Sequence, residues 1–112
     1  QKALVIRKEI GDKQGEASAY GNLGTVFQSV GQYTKAEEYL QKALVIRKEI
    51  GDKEGEAADY GNLGIVFTRV GQYTKATVFQ SVGQYTKAEE YYQKALVIRK
   101  EIGDKKGEAT DY

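Results

Sequence analysis

The phrase QKALVIRKEIGDK occurs three times in this chain, beginning at Gln1, Gln41 and Gln93. Repetition at a period of roughly 20–50 residues constrains a fold strongly, because each unit must bury its apolar face against the next. Residues 1–36 and 41–76 match at 30 of 36 positions with an offset of forty. The third copy follows the second by fifty-two, so twelve residues are in excess, Thr77 to Ala88, TVFQSVGQYTKA. They nearly repeat the IVFTRVGQYTKA just before them, so GQYTKA appears twice between Gly71 and Ala88. An insertion of twelve residues and a deletion of twenty-eight from a forty-residue array leave the same text. The excess contains no phrase foreign to the repeat, and it reads as a slip in register.

Each unit reads as two helices. In YTKAEEYLQKALVIRKEI, Tyr33 to Ile50, apolar residues fall at Ala36, Tyr39, Leu40, Ala43, Leu44, Ile46 and Ile50. Spacings of three and four draw an apolar stripe along a helix. Glu38 and Lys42 stand four apart, in the order that favours a surface ion pair. Arg47 and Lys48 lie in the last turn, where the helix dipole favours cations. Gly51 suits a left-handed stop and Asp52 a cap for the helix that follows, KEGEAADYGNLGIVFTRV. Gly61 and Gly64 lie inside that helix at a cost of about 1 kcal/mol each relative to Ala, which suggests close backbone packing.

Composition narrows the chemistry. Seventeen Lys and Arg oppose sixteen Asp and Glu, a net charge of +1 that argues for neither nucleic acid nor an anionic membrane as partner. Cys and His are both absent, which removes disulfides, thiolate metal sites and the commonest general base. No apolar run is long enough to span a bilayer, no signal peptide is expected, and an intracellular (cytoplasmic) setting is the default expectation. Met is absent, which suggests a piece of a longer chain, and with no Pro the thirteen Gly must punctuate. Glu37 and Glu38 are adjacent, point in different directions on a helix and recur with the array, as a solvated face does. GNLG lies inside an amphipathic helix without the Lys-Ser/Thr of a phosphate loop. Arg47, Lys48, Arg99 and Lys100 are followed directly by Glu49 and Glu101, which argues against a phosphate-binding strip. The expectation is a protein that is not an enzyme and holds no cofactor.

YGNLGTVFQSVGQYTKAEEYLQKAL resembles the tetratricopeptide repeat. The family's first helix carries an aromatic, Leu-Gly and a second aromatic, matched by Tyr20, Leu23, Gly24 and Phe27; its second carries small, large, small, matched by Ala36, Leu40 and Ala43. The second unit supplies Tyr60, Leu63, Gly64 and Phe67, then Ala88, Tyr92 and Ala95. The forty-residue period and the GDK.GEA..YGNLG linker look like the long-repeat subgroup of Pins/LGN scaffolds. The family's Pro at the repeat end is missing, with Gly51-Asp52 in its place. The resemblance implies an all-α fragment of an α-solenoid built from antiparallel helix hairpins. Gly24 facing Ala36 would bring two helices close, and Ala43 would receive the next unit.

In that family the first helices line a concave groove that holds extended peptides or partner helices. The resemblance places Ser18, Gly21, Asn22, Thr25, Gln28 and Ser29 there, and Ala58, Gly61, Asn62, Ile65, Thr68 and Arg69 in the second unit. Asn22 and Asn62 can both donate to and accept from a peptide backbone. Gly21 and Gly61 occupy the place where chaperone-binding members carry a carboxylate-clamping Lys, which argues against that activity. The first two units differ at six aligned positions, Gln14/Glu54, Ser18/Ala58, Ala19/Asp59, Thr25/Ile65, Gln28/Thr68 and Ser29/Arg69, and four of these fall on the groove. The expected function is a protein-interaction scaffold for a protein or peptide ligand. Two alternatives remain: a self-assembly module, and the sensor array of a multidomain signalling ATPase.

Within Tyr73 to Val82, YTKATVFQSV, apolar Tyr73, Ala76, Phe79 and Val82 recur every third residue. This predicts an irregular short helix over 73–82 between helices at 54–70 and 85–102, with Gly83 as its stop. The last helix would then run opposite to its counterpart in a regular unit and break the superhelix. The alternative is that 73–82 merges with a neighbour into a longer helix and opens the pair for swapping between chains. The repeat boundaries predict a partial second helix at 1–10, units at 13–50 and 53–102 with the excess at 77–88, and the start of a further first helix at 106–112. Leu4, Val5, Ile6, Ala109 and Tyr112 would expose stacking faces, so homo-oligomers by stacking or swapping are expected.

Overall fold

A computed structural model describes the backbone of residues 2–75 and 77–110 and the side chains of 9–75 and 77–106. Four helices follow one another: α1 (Lys2–Ser29), α2 (Tyr33–Ile50), α3 (Lys53–Tyr73) and α4 (Val78–Thr110). No strand occurs among the described residues. α1 packs on α2, α2 on α3 and α3 on α4, while α1 touches α3 lightly. The chain is thus two antiparallel hairpins side by side, and α2 lies between α1 and α3. Leu40, Leu44, Tyr60, Leu63, Val66 and Ile98 form the core with Ala36, Ala57 and Ala95.

The hairpins close where a side chain is missing. A Cβ on Gly24 would lie 2.7 Å from Leu40 Cγ and 3.3 Å from the Ala36 carbonyl oxygen, and one on Gly64 would lie 2.5 Å from the Tyr92 ring. The close approach of Gly24 and Ala36 is therefore as expected, and so is that at Gly64. Gly61 meets nothing within 4 Å, so its cost is not offset by packing in this structure. Around each glycine an aromatic ladder forms: Phe27 and Tyr20 stack on Tyr39, and Phe67 and Tyr60 stack on Tyr91. Lys42 lies over Tyr20 and Tyr39, and the expected ion pair with Glu38 is not formed.

Tyr91 and Tyr92 of α4 stand fifty-two residues after Tyr39 and Leu40 of α2 and meet α3 in the same way. The register of the second hairpin is therefore that of the first, and its last helix runs in the same direction as its counterpart. No separate short helix occupies 73–82, and Gly83 does not stop a helix, since α4 passes straight through it. The twelve excess residues lengthen the hairpin tip instead. Relative to the first hairpin, α3 ends four residues later, α4 begins seven earlier and the loop is one residue longer.

Two local features hold this longer tip. Thr77 Oγ1 accepts from the Gln80 backbone N–H at 3.1 Å while Gln80 Oε1 accepts from the Thr77 N–H at 3.0 Å, a reciprocal cap that starts α4. Tyr85 packs over Gly71, where a Cβ would be 2.8 Å from its ring. The core explains why Gly83 is not the turn. Residues 77–88 are identical to 25–36, which do turn, at Gly31 (φ 81°). A turn at Gly83 in the same register would put Lys75 where Leu63 belongs and Ala76 where Gly64 belongs. It would bury an ammonium and drive a Cβ into a ring, so the chain turns at 74–77.

The expected breaks near Gly11 and Gly103 are also absent, as α1 and α4 run through them. Gly51, in the same IGDK context, does turn (φ 73°), and Asp52 accepts from the Gly55 N–H at 3.0 Å. There Arg47 reaches Asp52 at 2.8 Å and Asp59 at 3.6 Å, tying α2 to α3 across the turn. At the Gly11 junction Ala19 replaces Asp59, and at Gly103 the equivalent Asp111 lies outside the described residues. The side chains of Leu4, Val5, Ile6, Ala109 and Tyr112 also lie outside them.

One pair of substitutions checks this register. Gly83→Ala should raise stability by roughly 0.5–1 kcal/mol, because Gly83 is helical with open space at its Cβ. Gly31→Ala should lower it by about 1–2 kcal/mol, because φ there is 81°. Urea unfolding of both variants measures the difference, and a hairpin that turned at Gly83 would reverse the first sign.

Candidate functional site: the exposed stripes of the two first helices

Ser18, Asn22, Thr25 and Ser29 are spaced four, three and four apart, so they share one face of α1. Ala58, Asn62, Ile65 and Arg69 do the same on α3. All eight are exposed except Asn62, which is half-buried. Gly21, Gln28, Gly61 and Thr68 lie at the edges of these stripes and are half-buried. The two stripes meet at a seam. There a Cβ on Gly21 would lie 3.6 Å from Asp59 Oδ1, and Arg47 Nη2 donates to Ser18 Oγ at 3.5 Å.

Most of the hydroxyls on these stripes are committed to their own helix. Thr25 donates to the Gly21 carbonyl, Ser29 to that of Thr25 and Thr68 to that of Gly64. Thr68 also lies 3.4 Å from the Tyr92 hydroxyl, which draws it toward α4 and away from the rest of its stripe. Ala58 borders a shallow depression with Glu54, Arg99, Ile102 and Lys106. The amides of Asn22 and Asn62 are different. Among the described residues neither has a hydrogen-bond partner, so each presents a free donor and acceptor at the same point of α1 and α3.

Nothing in the stripes offers acid–base chemistry, and Arg69 is their one charged member. Among the described residues no group of three His, Cys, Asp or Glu could hold a metal ion. No helix among them is long and apolar enough to cross a membrane. The perturbed acid of this region lies beneath the surface. Burial pushes the Asp59 carboxyl from 3.8 up to about 6, against the opposing charge of Arg47. The pair is held at 3.6 Å by charge, without the geometry of a hydrogen bond.

Comparison with known families agrees with this architecture. One tetratricopeptide-repeat profile matches residues 1–49 and again 15–77, and a second matches 75–106. The chain belongs to the tetratricopeptide repeat family. Repeats of this family generally mediate protein–protein interaction and are typically non-catalytic scaffolds. A search of curated proteins finds no match to the chain.

In this repeat array sequence reasoning passed over three features. The reciprocal cap was legible as Thr77-x-x-Gln80, the usual signal of a helix start. The Arg47–Asp59 tie was signalled by Ala19/Asp59, the one difference between units that adds a charge to a buried position. The aromatic ladder had no signal beyond Tyr39 and Tyr91 lying on an apolar stripe.

The shift at Asp59 has a consequence for stability. Between about 3.8 and about 6 the folded state holds a proton that the unfolded state has lost. Folding is therefore favoured as pH falls through that window, and the full cost of the buried carboxylate is present above it. Asp59→Asn should be more stable than the parent at pH 7 by on the order of 1 kcal/mol, since solvent screening and the loss of the Arg47 contact offset part of the gain. The advantage should vanish toward pH 4 in urea unfolding across a pH series.

Proposed function

We propose that this repeat array binds an extended peptide along the stripes of α1 and α3, with Asn22 and Asn62 as backbone clamps. The observation that supports this reading is the pair of unpartnered amides at equivalent positions. The two asparagines would engage separate peptide groups of one extended chain laid across both stripes. Around them Ser18/Ala58, Thr25/Ile65 and Ser29/Arg69 vary between units while the asparagines do not, so the clamps read backbone and their neighbours read side chains. Ile65 offers an apolar contact and Arg69 a positive charge at one end of the second stripe. The mechanism is docking onto a preformed surface, with no bond made or broken. The forty-residue period is what supports a place in the Pins/LGN-like subgroup.

Peptides selected on the parent chain from a random library provide the test. Asn22→Ala or Asn62→Ala should each weaken binding by about 5–10-fold, the worth of one or two hydrogen bonds, with little change in the thermal melt. Unchanged affinity in the double variant would overturn the proposal.

A further inference from the structure

Beneath the seam between the two stripes lies a group that peptide docking has not yet used. Asp59 is 2% exposed, yet among the described residues its carboxylate accepts no hydrogen bond. Its one ionic partner, Arg47 at 3.6 Å, is shared with Asp52 at 2.8 Å. One guanidinium therefore serves two carboxylates. At pH 7, above the range in which Asp59 takes up its proton, the cluster holds one negative charge in excess. A carboxylate buried without a hydrogen bond gains strongly from a charged donor brought to it.

The carboxylate is open toward the stripes. Oδ2 is sealed and lacks a hydrogen bond, while Oδ1 is not sealed and faces α1 at Gly21. A Cβ on Gly21 would stand 3.6 Å from Oδ1, so the missing side chain leaves a path to it. Arg47 Nη2 reaches Ser18 Oγ through the same seam at 3.5 Å, so a polar link from this cluster to the exposed stripe already exists. Gly21 directly precedes Asn22, and Asp59 stands one helical turn before Asn62, so the opening adjoins both proposed clamps. Its walls come from α1, α2 and α3, and the site is complete within this chain.

We propose that a Lys or Arg side chain of the bound peptide passes over Gly21 and pairs with Asp59, so that the stripes select basic peptides. This rests on the peptide docking proposed above and names the class of ligand. The cationic head supplies the hydrogen bond that Asp59 lacks, and the aliphatic stem lies along the seam between α1 and α3.

Selection of random-library peptides on the parent chain and on Asp59→Asn tests this. Peptides from the parent should carry Lys or Arg at one fixed position, and peptides from Asp59→Asn should not. Replacing that residue by norleucine should weaken binding to the parent about 10-fold, whereas Asp59→Asn should bind the two peptides alike. Gly21→Ala gives a second reading that leaves the acid in place. Its methyl group fits at 3.6 Å, and the helix gains by losing a glycine, so the variant folds while the path narrows. It should lose most of the same preference. A preference that survives in Asp59→Asn, or parent-selected peptides without a basic residue, would overturn this inference and leave the asparagine clamps standing. A selection that yields no peptide would overturn both.

Discussion

Each hairpin is held in register by a side chain that is not there. Gly24 lets Leu40 lie against the backbone of α1, and Gly64 lets the ring of Tyr92 lie against that of α3. A methyl group at either place would overlap its neighbour, so the helices can meet in only one sliding position. The rest follows from that position. It brings Phe27 and Phe67 onto Tyr39 and Tyr91, closes Leu63 and Val66 against α2, and leaves the opposite faces of α1 and α3 in solvent. Glycine inside a helix costs stability locally, and here that cost secures the packing of the whole unit.

The same constraint governs what the chain does with twelve extra residues. A register slip would have changed the partner of every core residue in the second hairpin. The cost of burying Lys75 and of a Cβ against Tyr92 is concentrated in the core, whereas extending two helices at the tip costs little. The excess therefore leaves through the tip, where Val78 and Phe79 stand in solvent and the Thr77–Gln80 cap marks the new start. The tip is a surface that the regular unit does not have.

Identical text takes different shapes in this chain. GQYTKA turns at Gly31 and is helical at Gly83, and IGDK turns at Gly51 and is helical at Gly11 and Gly103. Glycine permits both outcomes, and a local reading of turn chemistry assigns the same one everywhere. At Gly51 the turn is closed by ion pairs of Arg47 with Asp52 and Asp59, the last of them eight residues away on the next helix. Gly61 and Gly64 make the same point within one helix. Both looked like sites of close packing, and only Gly64 has a neighbour to accept.

The repeat period, the helical spacing of Leu40, Ala43 and Leu44, and the motif around Gly24 and Gly64 were sufficient in sequence to determine an all-α array of paired helices. The same spacing grouped Ser18, Asn22, Thr25 and Ser29 on one face before any coordinates, because a helix of known pitch carries its own geometry. Three things depended on tertiary structure: which glycines turn, where the excess residues go, and which side chains of that face remain free. Thr25 and Ser29 bond their own helix while the two asparagines do not, and spacing alone is blind to that difference. Periodicity places a residue on a face, because it reflects one helix at a time. Whether a glycine bends or a carboxylate is buried depends on what a second helix brings to it.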